Sequence, residues 1–300
     1  MRALISAVLV STALAQVGTP ASPPPPVGTP PVPAPPLWSL TEGLDSPESV
    51  YYDAASGFVF SSQIGGDASA RDGNGRIVKL TIDGKVIDAN WAKGLDAPKG
   101  LRSYRGTLYV ADIDQVVGFD IASGRETSRV KIADAKFLND LCTGPDGAIY
   151  TTDSFANRVW VVRNGSASLF SDAPQLLLPN GILVDGNKVL VATDGSGGRG
   201  GAGTPASLFA IDIATKAITQ VTTQGIGTPD GLESDGRGGY IVADVGGGRI
   251  FRVSASGEVR QIRQLDRQPA DISYVSSRNL LLVPHLGLNR VSAYDLSDLK

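Results

Sequence analysis

A five-residue phrase recurs six times down the chain, and each copy introduces a strand-like run. The copies read Ser46-Pro47-Glu48-Ser49-Val50, Ala97-Pro98-Lys99-Gly100-Leu101, Phe137-Leu138-Asn139-Asp140-Leu141, Leu178-Pro179-Asn180-Gly181-Ile182, Thr228-Pro229-Asp230-Gly231-Leu232 and Gln268-Pro269-Ala270-Asp271-Ile272. Their second places lie 51, 40, 41, 50 and 40 residues apart, a period that belongs to propellers and solenoids. Behind each phrase comes an apolar run closing on a polar residue, as in Leu108 to Asp112, Ile149 to Asp153, Val189 to Asp194, Tyr240 to Asp244 and Leu280 to His285. Val, Ile, Tyr and Leu between Gly, Asn and Asp make these runs buried strands. A third run follows after a turn (Arg76 to Leu80 and Arg249 to Val253, for example), and a weaker fourth leads to the next phrase. No helical period interrupts the pattern.

Six units of four strands predict an all-β fold, a six-bladed β-propeller in which each blade packs on the next and no long edge is left open. The last unit supplies only three strands, ending near Tyr294, whereas Leu37 to Leu40 form a spare strand before the first phrase. The expectation is that the N-terminal strand joins the C-terminal blade and closes the ring. A solenoid shares the period but needs no such exchange between its ends.

The chain divides into residues 1–15, 16–36 and 37–300. Met1-Arg2, the apolar Ala3 to Ala15 and the small-residue close at Ala13-Leu14-Ala15 have the form of a secretory signal peptide. The run is shorter than the roughly 20 residues of a membrane span. Residues 16–36 are a Pro-rich linker, with four consecutive prolines at Pro23 to Pro26, a composition that favours extended polyproline II and cannot form a core. The expectation is an exported protein, periplasmic or secreted, with no membrane insertion after cleavage. A net charge of -3 with no basic run makes nucleic acid a poor partner. The single cysteine, Cys142, follows Leu141 in a strand and reads as a small core residue.

In a propeller the innermost strand of each blade lines the central channel, and the turn leading into it opens at one face. Placed at that turn, the third-place side chains Glu48, Lys99, Asn139, Asn180, Asp230 and Ala270 would converge on one mouth. Glu48, Asn139, Asn180 and Asp230 offer hard oxygens, and two carboxylates at close range require a positive partner. A divalent cation such as Ca²⁺, Mg²⁺ or Mn²⁺ suits all-oxygen ligation. Alternatively Lys99 supplies the charge and the asparagines cap turns, a common use of Asn. Residue types alone leave both readings open.

The phrases Ser-Pro-Glu-Ser at Glu48, Leu-Asn-Asp-Leu at Asn139, Pro-Asn-Gly-Ile at Asn180 and Pro-Asp-Gly-Leu at Asp230 resemble those of the SMP-30/gluconolactonase/LRE family, in the same order and one per blade, over Trp38 to Leu299. The resemblance implies one divalent cation (calcium first, then magnesium, manganese or zinc) held by Glu48, Asn180 and Asp230, with Asn139 meeting the substrate. It further implies a metal-dependent hydrolase that opens a sugar lactone or similar cyclic ester through a metal-activated water, Asp230 taking the proton. The partner is then a small lactone or sugar-acid-like molecule. Lys99 at the mouth and His285 at a strand end complete the candidate substrate-binding set.

Two features depart from that family: Phe137 stands where its lactonases often carry a substrate-holding Arg, and Lys99 is unusual beside a cation. The blades also resemble those of NHL-repeat proteins, which keeps a non-catalytic propeller binding a small ligand or a protein as the alternative. His285 is the only histidine, which excludes three-histidine zinc sites. Asp194-Gly195-Ser196-Gly197-Gly198 has no histidine before it to form a serine-protease triad, and the Gly-rich run over 195–205 lacks a P-loop ending; it reads as a flap near the mouth.

Overall fold

The computed structural model describes residues 35–196 and 204–299. The proposed signal peptide, nearly all of the Pro-rich linker and the middle of the Gly-rich run lie outside the described residues. No helix among those described is long and apolar enough to cross a membrane.

Among the described residues, twenty-four strands form six four-stranded antiparallel sheets. Strand β1 (Trp38–Leu40) stands apart from its sequence neighbours. Blade 1 holds β2 (Pro47–Asp53), β3 (Phe58–Gln63), β4 (Gly75–Thr81) and β5 (Val86–Leu95); blade 2 holds β6 (Pro98–Tyr104), β7 (Thr107–Asp112), β8 (Gln115–Asp120) and β9 (Glu126–Lys131). Blade 3 holds β10 (Leu138–Thr143), β11 (Ile149–Asp153), β12 (Arg158–Arg163) and β13 (Ser166–Ser171); blade 4 holds β14 (Pro179–Asp185), β15 (Lys188–Thr193), β16 (Ser207–Asp212) and β17 (Ile218–Gln220). Blade 5 holds β18 (Pro229–Ser234), β19 (Tyr240–Asp244), β20 (Arg249–Val253) and β21 (Val259–Gln264). Blade 6 holds β22 (Ser273–Val275), β23 (Leu280–His285) and β24 (Arg290–Asp295), and β1 completes it by pairing with β24, Trp38 opposite Ala293 and Leu40 opposite Val291. The ring is closed as the spare N-terminal strand predicts.

Apolar side chains fill the spaces between neighbouring blades. One cluster joins Val50, Val59, Val78 and Leu80 of blade 1 to Leu280, Leu282 and Val291 of blade 6, with Trp38 and Leu40 packed against it. The Trp38 ring also lies over Gly84, where a Cβ would come within 2.5 Å of the ring. The outer strands are polar and exposed, as in Glu126–Lys131, which blunts the rim against edge pairing.

In blades 1 to 5 the recurring phrase, from its second place on, is part of the inner strand itself and not the turn before it; in blade 6 it precedes β22. Pro47 is opposite Gln63 and Val50 opposite Ser61, so Glu48 and Ser49 share one partner residue. The same irregularity falls at the same place in β6, β10, β14 and β18. A bulge of this kind re-aims side chains next to a site, and here it sets the third and fourth places of these five phrases. Successive inner strands then run side by side around the channel, with Asp271 N donating to Glu48 O and Val50 N to Asp271 O, both at 3.0 Å. That approach explains the fourth-place glycines: a Cβ on Gly181 would fall 2.0 Å from Asp230 O, and one on Gly100 2.3 Å from an Asp140 carboxylate oxygen.

Candidate functional site

Ring order places blades 1 and 4 opposite one another, and likewise 2 and 5, and 3 and 6. The third-place residues Glu48, Asn180 and Asp230 are 7%, 6% and 4% exposed, too buried for water to screen two carboxylates. Burial raises the Glu48 pKa well above the usual carboxylate range, and the neighbouring charge of Asp230 pushes it further, while Lys99 opposes both. The two carboxylates thus act on one another electrostatically. Glu48 Oε2 and Asn180 Oδ1 are buried acceptors with no hydrogen-bond partner, a condition that costs roughly 1–3 kcal/mol per group. Among the described residues, no three His, Cys, Asp or Glu side chains form a metal-holding group by themselves. The candidate set is therefore a mixed one, and two orphaned hard oxygens from opposite blades are the donors that fit an oxygen-seeking cation.

Lys99 lies in the same layer, almost fully buried. Its Nζ donates to Ala97 O at 2.9 Å and Ala68 O at 3.0 Å, and sits 4.2 Å from the centre of the Phe137 ring. The two departures from the family pattern are thus in contact with each other. Burial draws the Lys99 pKa down to about 8, with Glu48 pulling the other way. Ala68 belongs to the insertion between β3 and β4, which folds over this side of the mouth. Sequence reading missed that contact because nothing in the insertion marks the carbonyl that it supplies.

Asn139 Nδ2 donates to Ser154 Oγ at 3.2 Å, and Ser154 in turn donates to Pro179 O at 2.6 Å, tying blade 3 to the start of the blade 4 phrase. Asn139 and Asn180 line one cleft of about 310 Å³ together with Ser154, Asp194, Phe137, Phe155 and Leu178. Sequence reading did not single out Ser154 or Phe155, which sit in the turn after β11. His285 is fully buried, with Nδ1 3.3 Å from Arg267 O and Nε2 3.2 Å from the Tyr294 hydroxyl. It occupies the strand-end place at which Asp112 accepts from Ala97 N, Asp153 from Phe137 N and Asp244 from Thr228 N. Burial lowers its pKa to about 4. Both ring nitrogens are engaged within blade 6 and its leading turn, and the residues of the cleft do not include it.

A second buried polar layer uses the fourth places of the phrases and the residues that directly follow them. Arg102 reaches Glu233 at 3.1 Å from the opposite blade and Asp271 at 3.6 Å, with the Tyr51 ring 5.4 Å away. Ser49 Oγ donates to Asp271 at 2.5 Å. Asp140 accepts from Leu141 N at 2.7 Å and from Ile182 N at 3.1 Å. Burial pulls the Arg102 pKa down, but Glu233, Asp271 and Asp140 outweigh it and hold the guanidinium charged. Burial raises Glu233 to about 7 against the pull of Arg102.

The fold defines a class: a six-bladed β-propeller of four-stranded antiparallel blades. The model of the SMP-30/Gluconolactonase/LRE-like region matches residues 46–276, and the chain belongs to that family. No curated protein matches the sequence. Among solved structures, a gluconolactonase from Xanthomonas campestris is similar at 17% identity and a TM-score of 0.61, over 84% of this chain and 86% of that one. A catalytically inactive virginiamycin B lyase from Staphylococcus aureus, solved with quinupristin, is similar at 13% identity and a TM-score of 0.60, over 85% and 97%. A chain of the nidogen/laminin complex is similar at 15% identity and a TM-score of 0.57, over 76% of this chain and 92% of that one. At these identities the structures share the fold; the family membership rests on the match to the family model.

Proposed function

We propose that the protein is a lactonase-like hydrolase that opens a sugar lactone or similar cyclic ester with the help of one divalent cation, calcium first. The observation that carries this reading is the pair of buried oxygens, Glu48 Oε2 and Asn180 Oδ1, that lack hydrogen-bond partners in the layer they share with Asp230. Glu48, Asn180 and Asp230 would hold the cation, which when bound supplies Lewis-acid polarisation of an ester carbonyl. Asn139, fixed through Ser154, orients the substrate in the cleft. Asp230 accepts a proton from the attacking water, whose oxygen bonds to the acyl carbon; the ring C–O bond breaks and the leaving alkoxide takes the proton, giving a hydroxy acid. Lys99, anchored by two carbonyls, adds fixed positive charge on the Glu48 side of the mouth.

Family membership, a small-molecule-sized cleft and the mouth chemistry support this reading. A non-catalytic, ligand-binding propeller is favoured by one observation, the buried Lys99 ammonium whose charge already acts on Glu48. The two are separated by metal analysis of purified protein and a lactone panel, each with an Asp230→Ala control. The hydrolase reading expects about one equivalent of cation and a loss of turnover of about 10²- to 10⁴-fold in the variant. Cation-free wild type, or turnover untouched by Asp230→Ala, overturns it.

A further inference from the structure

We infer that the cleft beside the mouth selects a cyclic ester that carries or is fused to an aromatic ring, in preference to a polyhydroxylated sugar lactone. The inference rests on the hydrolase reading for its reaction and on Phe137 and Phe155 for its specificity.

The two sides of the cleft differ in chemistry. Asn139, Asn180 and Asp194 present amide and carboxylate groups, and Phe137, Phe155 and Leu178 present hydrocarbon. Phe137 and Phe155 are stacked, with ring centres 4.4 Å apart and planes 27° apart. Lys99 sits over the Phe137 ring, so Phe137 is pinned between an ammonium and a second ring. Phe155 is 63% exposed, and it is the sole aromatic among the exposed large hydrophobic residues described. Its uncovered surface borders the cleft. A stable domain gains nothing from presenting a phenyl ring to water, whereas a ligand ring laid against it would bury that surface and extend an existing stack.

A sugar lactone bears hydroxyl groups around its ring, and those turned towards Phe137, Phe155 and Leu178 would lose water with no partner to replace it. An aryl lactone has the opposite match: a polar ester end for Asn139 and the mouth oxygens, and a flat apolar end for the phenyl wall. A volume of about 310 Å³ is at the lower end of small-molecule sites, which suits a bicyclic ester.

The test compares kcat/KM for dihydrocoumarin, δ-valerolactone and glucono-1,5-lactone in wild type, Phe155→Ala and Phe155→Leu. Binding of 3,4-dihydro-2-quinolinone, the non-hydrolysable lactam of the same shape, is measured alongside by calorimetry. The expected result is a wild-type preference for dihydrocoumarin and a fall of about 10- to 100-fold in the dihydrocoumarin/δ-valerolactone ratio in Phe155→Ala, partly restored in Phe155→Leu. Preference for the gluconolactone, with that ratio unmoved by Phe155→Ala, overturns the aromatic selectivity and leaves the hydrolase reading standing. If no lactone is turned over yet the lactam binds and Phe155→Ala abolishes binding, the hydrolase reading fails and the aromatic site stands. A lactam that does not bind wild type overturns the inference.

Discussion

Two layers of buried carboxylates occupy the propeller channel, and they are neutralised in different ways. In the second layer Arg102 reaches Glu233 and Asp271 directly, Ser49 donates to Asp271, and backbone N–H groups donate to Asp140. In the mouth layer the corresponding cation, Lys99, is spent on two carbonyls and the Phe137 ring, while Glu48 Oε2 and Asn180 Oδ1 keep no partner. Each layer keeps a carboxylate oxygen without a hydrogen-bond partner, Asp271 Oδ1 in the lower and Glu48 Oε2 in the upper, but only the lower layer holds an arginine paired directly with its carboxylates. Acidity alone therefore does not mark a site in this channel; the distinction lies in whether the chain supplies its own counter-charge.

That contrast can be broken most forcefully at Arg102. Replacing it by Met leaves Glu233 and Asp271 without their cation in a water-poor channel, and a loss of about 3–5 kcal/mol is expected. Thermal melting reads this as a large drop in Tm, and adding Glu233→Gln and Asp271→Asn to Arg102→Met should recover much of it. A single variant as stable as wild type would show that the lower layer does not depend on its arginine.

A third way to bury a titratable group is to keep it neutral, as His285 does. Its folded pKa of about 4 lies below the ordinary 6.5, so its contribution to stability is present above pH 6.5 and is lost as pH falls towards 4. The expected loss is up to about 3 kcal/mol. His285→Asn should flatten the stability profile over that window relative to wild type, whatever its absolute Tm; parallel profiles would mean that the histidine is not buried neutral.

The smallest effect has the opposite sign. Glu48→Gln removes one of two repelling carboxylates at the mouth, so in the presence of a chelator the variant should be more stable than wild type, by roughly 1 kcal/mol. The proposed cation site further predicts that Ca²⁺ raises the Tm of wild type and that the same variant loses this rise. Destabilisation in chelator would erase the difference between the layers, because Glu48 would then already be compensated within the chain.

The repeat, the strand runs and the exchange of the N-terminal strand were all legible, because each is a matter of period and count along one chain. The third-place set could be named for the same reason. The bulge could not, since it exists only as a mismatch of one residue between paired strands, and a single strand carries no sign of it. The Arg102 layer left a fainter trace. Asp140 and Asp271 stand in the fourth place of opposite blades where Gly100, Gly181 and Gly231 occur in others, but a lone Asp after a turn-like phrase looks like turn chemistry until the ring brings it to the axis. The contact of Lys99 with Phe137 joins two blades, and the carbonyl of Ala68 comes from an insertion with no pattern of its own. The structure adds to the sequence chiefly such contacts between units.

The extra residue in the inner strands of blades 1 to 5 has an evolutionary consequence. Ladder pairing resumes at the fifth place whatever precedes it, so the letter before it is largely decoupled from the folding code of its sheet. A lineage could rewrite Glu48, Lys99 or Asn139 one at a time, trying new chemistries at the axis while the scaffold stayed the same.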